Sequence, residues 1–171
     1  SCEVAGLVFS NFSAISAGST PVVPEMTLVA VSSTDSTVYL SFNPSIVNTS
    51  QGSMDMWFYF QVTGGVMGVD LMNAGDAPTS ILERVCSSPI GMGNICNGSE
   101  LATISAGGGQ QAEAMFATTQ TAYIFKDIFV GPGGHLSSFT QSFHVPEPMT
   151  FVLIGSGLLA LGIVRRRAKK V

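Results

Sequence analysis

The sequence predicts an all-β chain: an antiparallel β-sandwich or jelly-roll-like ectodomain followed by a single C-terminal transmembrane helix. Short segments of alternating apolar and polar residues recur along most of the chain, and Gly, Pro, Asn and Ser separate them. Charged residues make up only 11% of the chain, and one uninterrupted apolar run stands near the C terminus. Strands of this number and spacing favour a sandwich, and the terminal run favours one membrane span.

The clearest predicted strand is residues 54–63, in which alternate side chains fall on two faces. Residues 37–42 and 137–145 alternate in the same way, and no helix is expected before residue 149. The apolar face of the clearest strand comprises Met54, Met56, Phe58, Phe60 and Val62, and its opposite face comprises Asp55, Trp57, Tyr59, Gln61 and Thr63. Further strands are predicted at 27–31, 66–72, 79–86, 100–106, 112–117 and 122–130, with turns at 43–44, 64–65, 73–76, 107–109 and 131–134.

Three cysteines are present, so at least one of them has no partner within the chain. Cys86 and Cys96 enclose a short, turn-rich segment that could close easily, and an oxidising compartment would favour their disulfide. Pairing of Cys2 with either of them is an open alternative. Otherwise Cys2 is expected to pair between molecules, to be buried, or to have had a partner in a segment that has been removed.

The C-terminal tail predicts a membrane helix. Residues 149–164 contain no charged side chain, and as a helix they would span about 24 Å at about 1.5 Å per residue. A hydrocarbon core is about 30 Å thick, so flanking arginines would have to snorkel. A basic cluster follows and is expected to stay cytoplasmic, with the preceding domain outside. This cluster consists of Arg165, Arg166, Arg167, Lys169 and Lys170.

A rigid, extended segment precedes that helix: Val145, Pro146, Glu147 and Pro148. A Pro-Glu-Pro segment, a short apolar helix and a terminal Arg cluster, in this order, resemble the PEP-CTERM sorting signal of exosortase-processed bacterial proteins. The resemblance implies recognition by exosortase, an inner-membrane intermediate with the domain outside, and a final place at the cell surface or in the extracellular matrix. It also implies an association with exopolysaccharide and biofilm. The expected organisation is an exported β-sandwich domain (1–144), a sorting motif and linker (145–148), a transmembrane helix (149–164) and a basic cytoplasmic tail (165–171).

Two further segments resemble the ectodomains of PEP-CTERM proteins. The opening residues 2–12, in which a cysteine is followed by Phe-Ser-Asn-Phe, look like the start of many of them. Residues 124–128 and 138–143 look like their final two strands. The resemblance implies no catalytic activity.

The charge pattern argues against nucleic acid as a partner. Ahead of the basic tail only Arg84 and Lys126 are basic, against eleven acidic residues, and such a domain repels phosphate. His135 and His144 lie in no catalytic pattern, so neither an enzyme nor a cofactor is predicted. No zinc spacing occurs, and Asp70, Asn73 and Asp76 fit turn chemistry better than a calcium loop, so no metal site is predicted.

These observations favour a non-enzymatic surface or extracellular-matrix protein. One alternative is a carbohydrate-binding module in which Trp57 and Tyr59, on one strand face, stack on sugar rings. This requires that face to be open; if a second sheet or a loop covers it, the two rings belong to the core. Another alternative is a self-assembling surface subunit that uses Cys2 or an exposed strand edge.

Overall fold

The computed structural model describes residues 1–17, 27–34 and 36–146, which are mostly antiparallel β-strand, as predicted. A turn of 3₁₀ helix spans Met92–Asn94. The strands in chain order are β1 Cys2–Val4, β2 Leu7–Ser16, β3 Thr27–Ser33, β4 Thr37–Asn43, β5 Ile46–Val47, β6 Met54–Asn73, β7 Thr79–Cys86, β8 Glu100–Gly107, β9 Gln111–Val130, β10 His135–Leu136 and β11 Phe139–His144.

Two long strands, β6 and β9, pass through both layers of the sandwich. Residues 54–63 of β6 pair with β2 on one side and with residues 121–130 of β9 on the other. Beyond a bend, residues 68–73 of β6 pair with β11 and with residues 111–115 of β9. The first layer therefore runs β1, β2, β6, β9, β7, β8, and the second runs β9, β6, β11, β4, β3.

The bend in β6 depends on two glycines. Gly64 and Gly65 have φ values of 122° and 93°, a region that L side chains rarely adopt. A Cβ on Gly64 would also lie 2.2 Å from the carbonyl oxygen of Gly6. The predicted turn at 64–65 is therefore wrong: pairing with β9 continues on both sides of the bend, with two register shifts near it.

The same correction applies to β9. Residues 112–117 and 122–130 were predicted as separate strands, but they belong to one strand of 20 residues. No glycine or proline lies between the two segments, and β6 supplies hydrogen-bonding partners along most of the strand. Because partnership with another strand is a tertiary property, the alternation pattern alone does not reveal this continuity.

The core lies between the layers and is rich in phenylalanine. The predicted inward faces are confirmed: Phe58 and Phe60 are 3% exposed, and the inward residues of β4 and β11 are also buried. The Phe143 ring of the second layer lies 5.2 Å from the Phe9 ring and 6.0 Å from the Phe60 ring, both of the first layer. Each such buried side chain stabilises the fold by about 1.5–3 kcal/mol relative to exposure.

The structure contains the Cys86–Cys96 disulfide, with a Cα–Cα distance of 5.4 Å. Cys2, in β1, is a free and half-buried thiol. The two alternative pairings of Cys2 within the chain are therefore not formed.

The folded domain extends to the first residues of the predicted sorting segment. The Val145 amide donates a hydrogen bond to the Ser36 carbonyl at 2.9 Å, and Pro146 is exposed. In residues 1–17, 27–34 and 36–146, no helix is long and apolar enough to span a membrane. Glu147, Pro148 and the predicted helix and basic tail at 149–171 lie outside the described residues.

Candidate functional site

The outer face of the first layer carries a band of aromatic side chains. Strand register places Tyr59 of β6 opposite Phe125 of β9, which in turn lies opposite Arg84 of β7. Two residues further along the strands, on the same face, Gln61 lies opposite Tyr123. Because side chains alternate between faces, the strand patterns that fill the core also bring this second set together on the outside.

The disulfide loop folds back over this band. The Tyr59 hydroxyl donates a hydrogen bond of 2.6 Å to the Asn94 side-chain oxygen, and an Arg84 guanidinium nitrogen donates to the Asn94 carbonyl. Arg84 also forms an ion pair of 2.8 Å with Glu100. Phe125, although on an outward register, is only 2% exposed. The loop therefore covers part of the face on which Trp57 and Tyr59 lie.

An open groove of about 390 Å³ remains between the loop and β2. At one end, Asn11 has a φ of 57° at a register shift in β2, and its amide donates to the Gln61 side-chain oxygen at 3.0 Å. Rings and amide groups thus share one groove, which suits a ligand with both apolar faces and hydroxyl groups. The residues that line it are Asn11, Tyr59, Phe60, Gln61, Pro89, Ile90, Tyr123 and Ile124.

The structure places Tyr59 in this groove but does not place Trp57 among its lining residues. Trp57 is half-buried, and its ring meets the Phe125 ring edge-on at 6.4 Å. Burial raises the pKa of the neighbouring Asp127 carboxyl, and the negative charge of Asp55 raises it further, while a hydrogen bond from Trp57 opposes the shift. Burial also raises the pKa of the Tyr59 hydroxyl, with a smaller contribution from Asp127.

Sequence reasoning missed Tyr123 and the groove-lining part of the disulfide loop. Tyr123 has the same outward register as Phe125, and an alternating reading of residues 122–130 could have found it. The position of Pro89 and Ile90 over the sheet could not have been found in this way, since it depends on how the loop folds back. The loop conformation is stabilised by an antiparallel β-bridge between Ile90 and Cys96. It is also stabilised by the hydrogen bonds from Tyr59 of β6 and Arg84 of β7 to Asn94.

The structure also brings Asp70, Ser142 and His144 together on the outer face of the second layer. The Ser142 hydroxyl donates to an Asp70 carboxylate oxygen at 2.6 Å, and the His144 ring nitrogen lies 2.9 Å from the same oxygen. In a nucleophilic triad the histidine must contact the serine hydroxyl, whereas here both groups contact the aspartate. The arrangement is therefore not that of a Ser-His-Asp triad.

His135 lies 4.0 Å from the exposed Asp76 carboxylate, near the tight turns at this end of the sandwich. Asn73 is buried and accepts a hydrogen bond from the Gly75 amide at 2.8 Å, in accord with the turn chemistry predicted for this segment. Across the described part of the chain, no group of three His, Cys, Asp or Glu residues could hold a metal ion.

The end of the chain matches a known family model, that of the PEP-CTERM protein-sorting motif, over residues 144–167. The chain carries a PEP-CTERM sorting motif. It begins where the last strand ends, and its described residues are 144–146. The motif identifies an exported protein that exosortase processes and that has a C-terminal membrane anchor before processing.

No curated protein matches the chain. Among solved structures, TmCBM61 in complex with β-1,4-galactotriose is 14% identical, covering 75% of this chain and 86% of that one, with a TM-score of 0.43. The C-terminal family 22 carbohydrate binding module of Clostridium thermocellum Xyn10B is 6% identical over 85% and 87% of the two chains, with a TM-score of 0.32. CsCBM6-3 from Clostridium stercorarium, in complex with cellobiose, is 16% identical over 75% and 91%, with a TM-score of 0.28.

Proposed function

We propose that this chain is a non-enzymatic protein of the cell surface or extracellular matrix that binds exopolysaccharide through the groove beside its disulfide loop. The observation that carries the proposal is the composition of the groove. Tyr59 and Tyr123 supply ring surface, while the side chains of Asn11 and Gln61 supply amide donors and acceptors. Sugar rings need this combination, because their C–H faces pack on aromatic rings and their hydroxyl groups hydrogen-bond to amides.

The size and surroundings of the groove narrow the class of glycan. Its volume of about 390 Å³ lies within the range of small-ligand sites, and it is open, so a longer chain could pass through it. The domain is acidic, and Asp55 and Asp127 lie on the same outer face. Like charges repel, so we expect neutral or amino-bearing glycans to bind in preference to uronic-acid polymers.

Binding to an array of neutral and acidic oligosaccharides by the exported protein, purified from its host, tests this proposal. Removal of a ring by Tyr123→Ala should cost about 1 kcal/mol, which is roughly a five-fold rise in Kd. Tyr59→Ala should weaken binding similarly. Met92→Ala is the matched control, because Met92 is 98% exposed on the same loop and does not line the groove.

Two results would count against the proposal: no binding to any glycan, or binding that neither tyrosine substitution weakens. Trp57→Ala tests the prediction from the sequence that Trp57 and Tyr59 both stack on sugar rings. A loss as large as that of Tyr59→Ala would extend the binding surface along β6 beyond the groove.

We also propose that the domain boundaries follow the sorting signal: an exported domain at 1–144, the motif at 145–148, a transmembrane helix at 149–164 and a basic cytoplasmic tail at 165–171. Processing would release or transfer the domain to the surface. Intact mass and cell fractionation, with and without exosortase, test this. Full-length protein still in the inner membrane of the normal host would contradict it.

A further inference from the structure

Three polar side chains meet in the centre of the apolar core, where nothing in the proposed binding function uses them. Lys126 lies on β9 and Glu83 on the neighbouring β7, both in the first layer, and strand register places them directly opposite each other. Gln141 lies on β11 in the second layer. All three are 0% exposed.

The side chains are in direct contact. The Lys126 Nζ atom donates to the Glu83 Oε2 atom at 2.5 Å and also to the Gln141 Oε1 atom. The Gln141 amide nitrogen donates to the Ser142 carbonyl at 3.0 Å, which fixes the orientation of the amide. The lysine nitrogen is thus held against the oxygen that is bonded to the Gln141 amide carbon.

The surroundings of this cluster are apolar side chains of the core. The Lys126 nitrogen lies 5.5 Å from the centre of the Phe139 ring. The second carboxyl oxygen of Glu83, Oε1, is buried without a hydrogen-bond partner. A buried ion pair gains little net stability, and an unpaired buried oxygen costs free energy, so packing alone gives no reason for this cluster.

Burial changes the protonation of the pair. Removal from water lowers the pKa of the Lys126 amine and raises the pKa of the Glu83 carboxyl, although each partner's charge opposes the shift. Both shifts run toward the state in which the amine is neutral and the carboxyl is protonated. A neutral amine is a nucleophile, and a carboxylic acid next to it can move protons.

We propose that Lys126 and Gln141 form an intramolecular isopeptide bond, with Glu83 as the proton-transfer group. The neutral Lys126 amine attacks the Gln141 amide carbon, and a bond forms between Nζ and Cδ. Glu83 gives its proton to the Gln141 nitrogen and takes one from Nζ. The bond from Cδ to that nitrogen breaks, ammonia leaves, and Glu83 ends as the acid it was at the start.

The position of this bond gives it a mechanical consequence. It would tie the two layers together through the core, from β9 to β11. β11 ends at His144, where the sorting motif begins, so it is the strand that a pull from the C-terminal attachment would reach first. A covalent tie at Gln141 would pass that load to the first layer and keep β11 from peeling away.

Intact mass of the folded, exported protein tests the proposal directly. The expected mass is lower by one ammonia molecule than the mass of the processed chain, whose ends the peptide digest identifies, after the disulfide is allowed for. Tryptic digestion should give a single peptide in which the link between Lys126 and Gln141 closes an internal loop, with no cleavage after Lys126. Full mass together with cleavage after Lys126, or a link between other residues, would overturn it.

Two variants assign the roles. Glu83→Gln keeps the size of the side chain and both bond partners but removes the carboxyl, so the protein should show the unlinked mass. Gln141→Met should also be unlinked. Gln120→Ala, an exposed position on β9, is the control and should keep the link. A Glu83→Gln protein as fully linked as the parent would refute the assigned role of Glu83. The mass and digest of the unsubstituted protein already test whether the link exists. The proposal can therefore be tested even if a variant folds poorly.

Discussion

Phe143→Ala tests the packing of the two layers at its most sensitive point. Phe143 is completely buried, and its ring belongs to the second layer while its ring contacts, Phe9 and Phe60, belong to the first. The substitution therefore removes contact across the interface between the layers. It leaves a cavity that the rigid sheets on either side cannot readily close.

The expected cost follows from that burial. Truncation of a buried phenylalanine to alanine costs about 3–5 kcal/mol. The total stability of a domain is only about 5–15 kcal/mol, so this is a large fraction of it. The ring pair with Phe9 should add coupling: Phe9→Ala and Phe143→Ala together should cost less than the sum of the two by about 0.5–1.5 kcal/mol.

Urea unfolding followed by tryptophan fluorescence measures both quantities, since Trp57 is the chain's one tryptophan. Met92→Ala, at a side chain that is 98% exposed, is the control and should change stability by less than about 0.5 kcal/mol. Phe143→Leu provides a milder variant if the alanine protein does not fold. A loss below about 1 kcal/mol for Phe143→Ala, or strict additivity with Phe9→Ala, would refute the packing described here.

Two further predictions concern the disulfide loop and the outer face. Replacement of Cys86 and Cys96 together by serine should lower the free energy of unfolding by about 2.7 kcal/mol, from the chain entropy of a short closed loop; urea unfolding checks it, and an unchanged midpoint would contradict it. Asp127→Asn should stabilise the protein at neutral pH and change little well below pH 3.8, the ordinary Asp value. A raised folded-state pKa means that ionisation opposes folding, so the stability of the parent should fall relative to the variant as pH rises through that pKa. Unfolding curves across that range test this, and a constant difference between the two proteins would exclude it.

Much of the fold could be predicted because the assignment of side chains to the two faces of a strand depends only on local sequence. A period of two assigns each residue of a strand to one face, and the apolar faces of residues 37–42 and 54–63 are buried as expected. The disulfide could be predicted because its two cysteines are close in sequence. Register and strand continuity could not, because Gly64 and Gly65 read equally well as a turn or as a bend, and only the paired β9 decides between them.

The buried cluster of Glu83, Lys126 and Gln141 shows what an alternating sequence pattern can and cannot predict. Glu83 lies between Ile81 and Val85, and Lys126 lies between Ile124 and Ile128, on the inward register of their strands. An alternating pattern that includes one charge on an apolar face is a signal that sequence analysis could have used. The meeting with Gln141 has no such signal, since this residue reaches the pair from the opposite layer.

The sequence by itself determined the sorting signal of this protein and which side chains lie on each face of its strands. The sorting motif is a contiguous segment, and face assignment depends only on neighbours along the chain. The tertiary structure alone decided which outward rings share a groove and which inward polar groups touch. Those contacts join β2, β6, β7, β9 and β11, and a one-residue change of register would exchange the inner and outer sets of a strand.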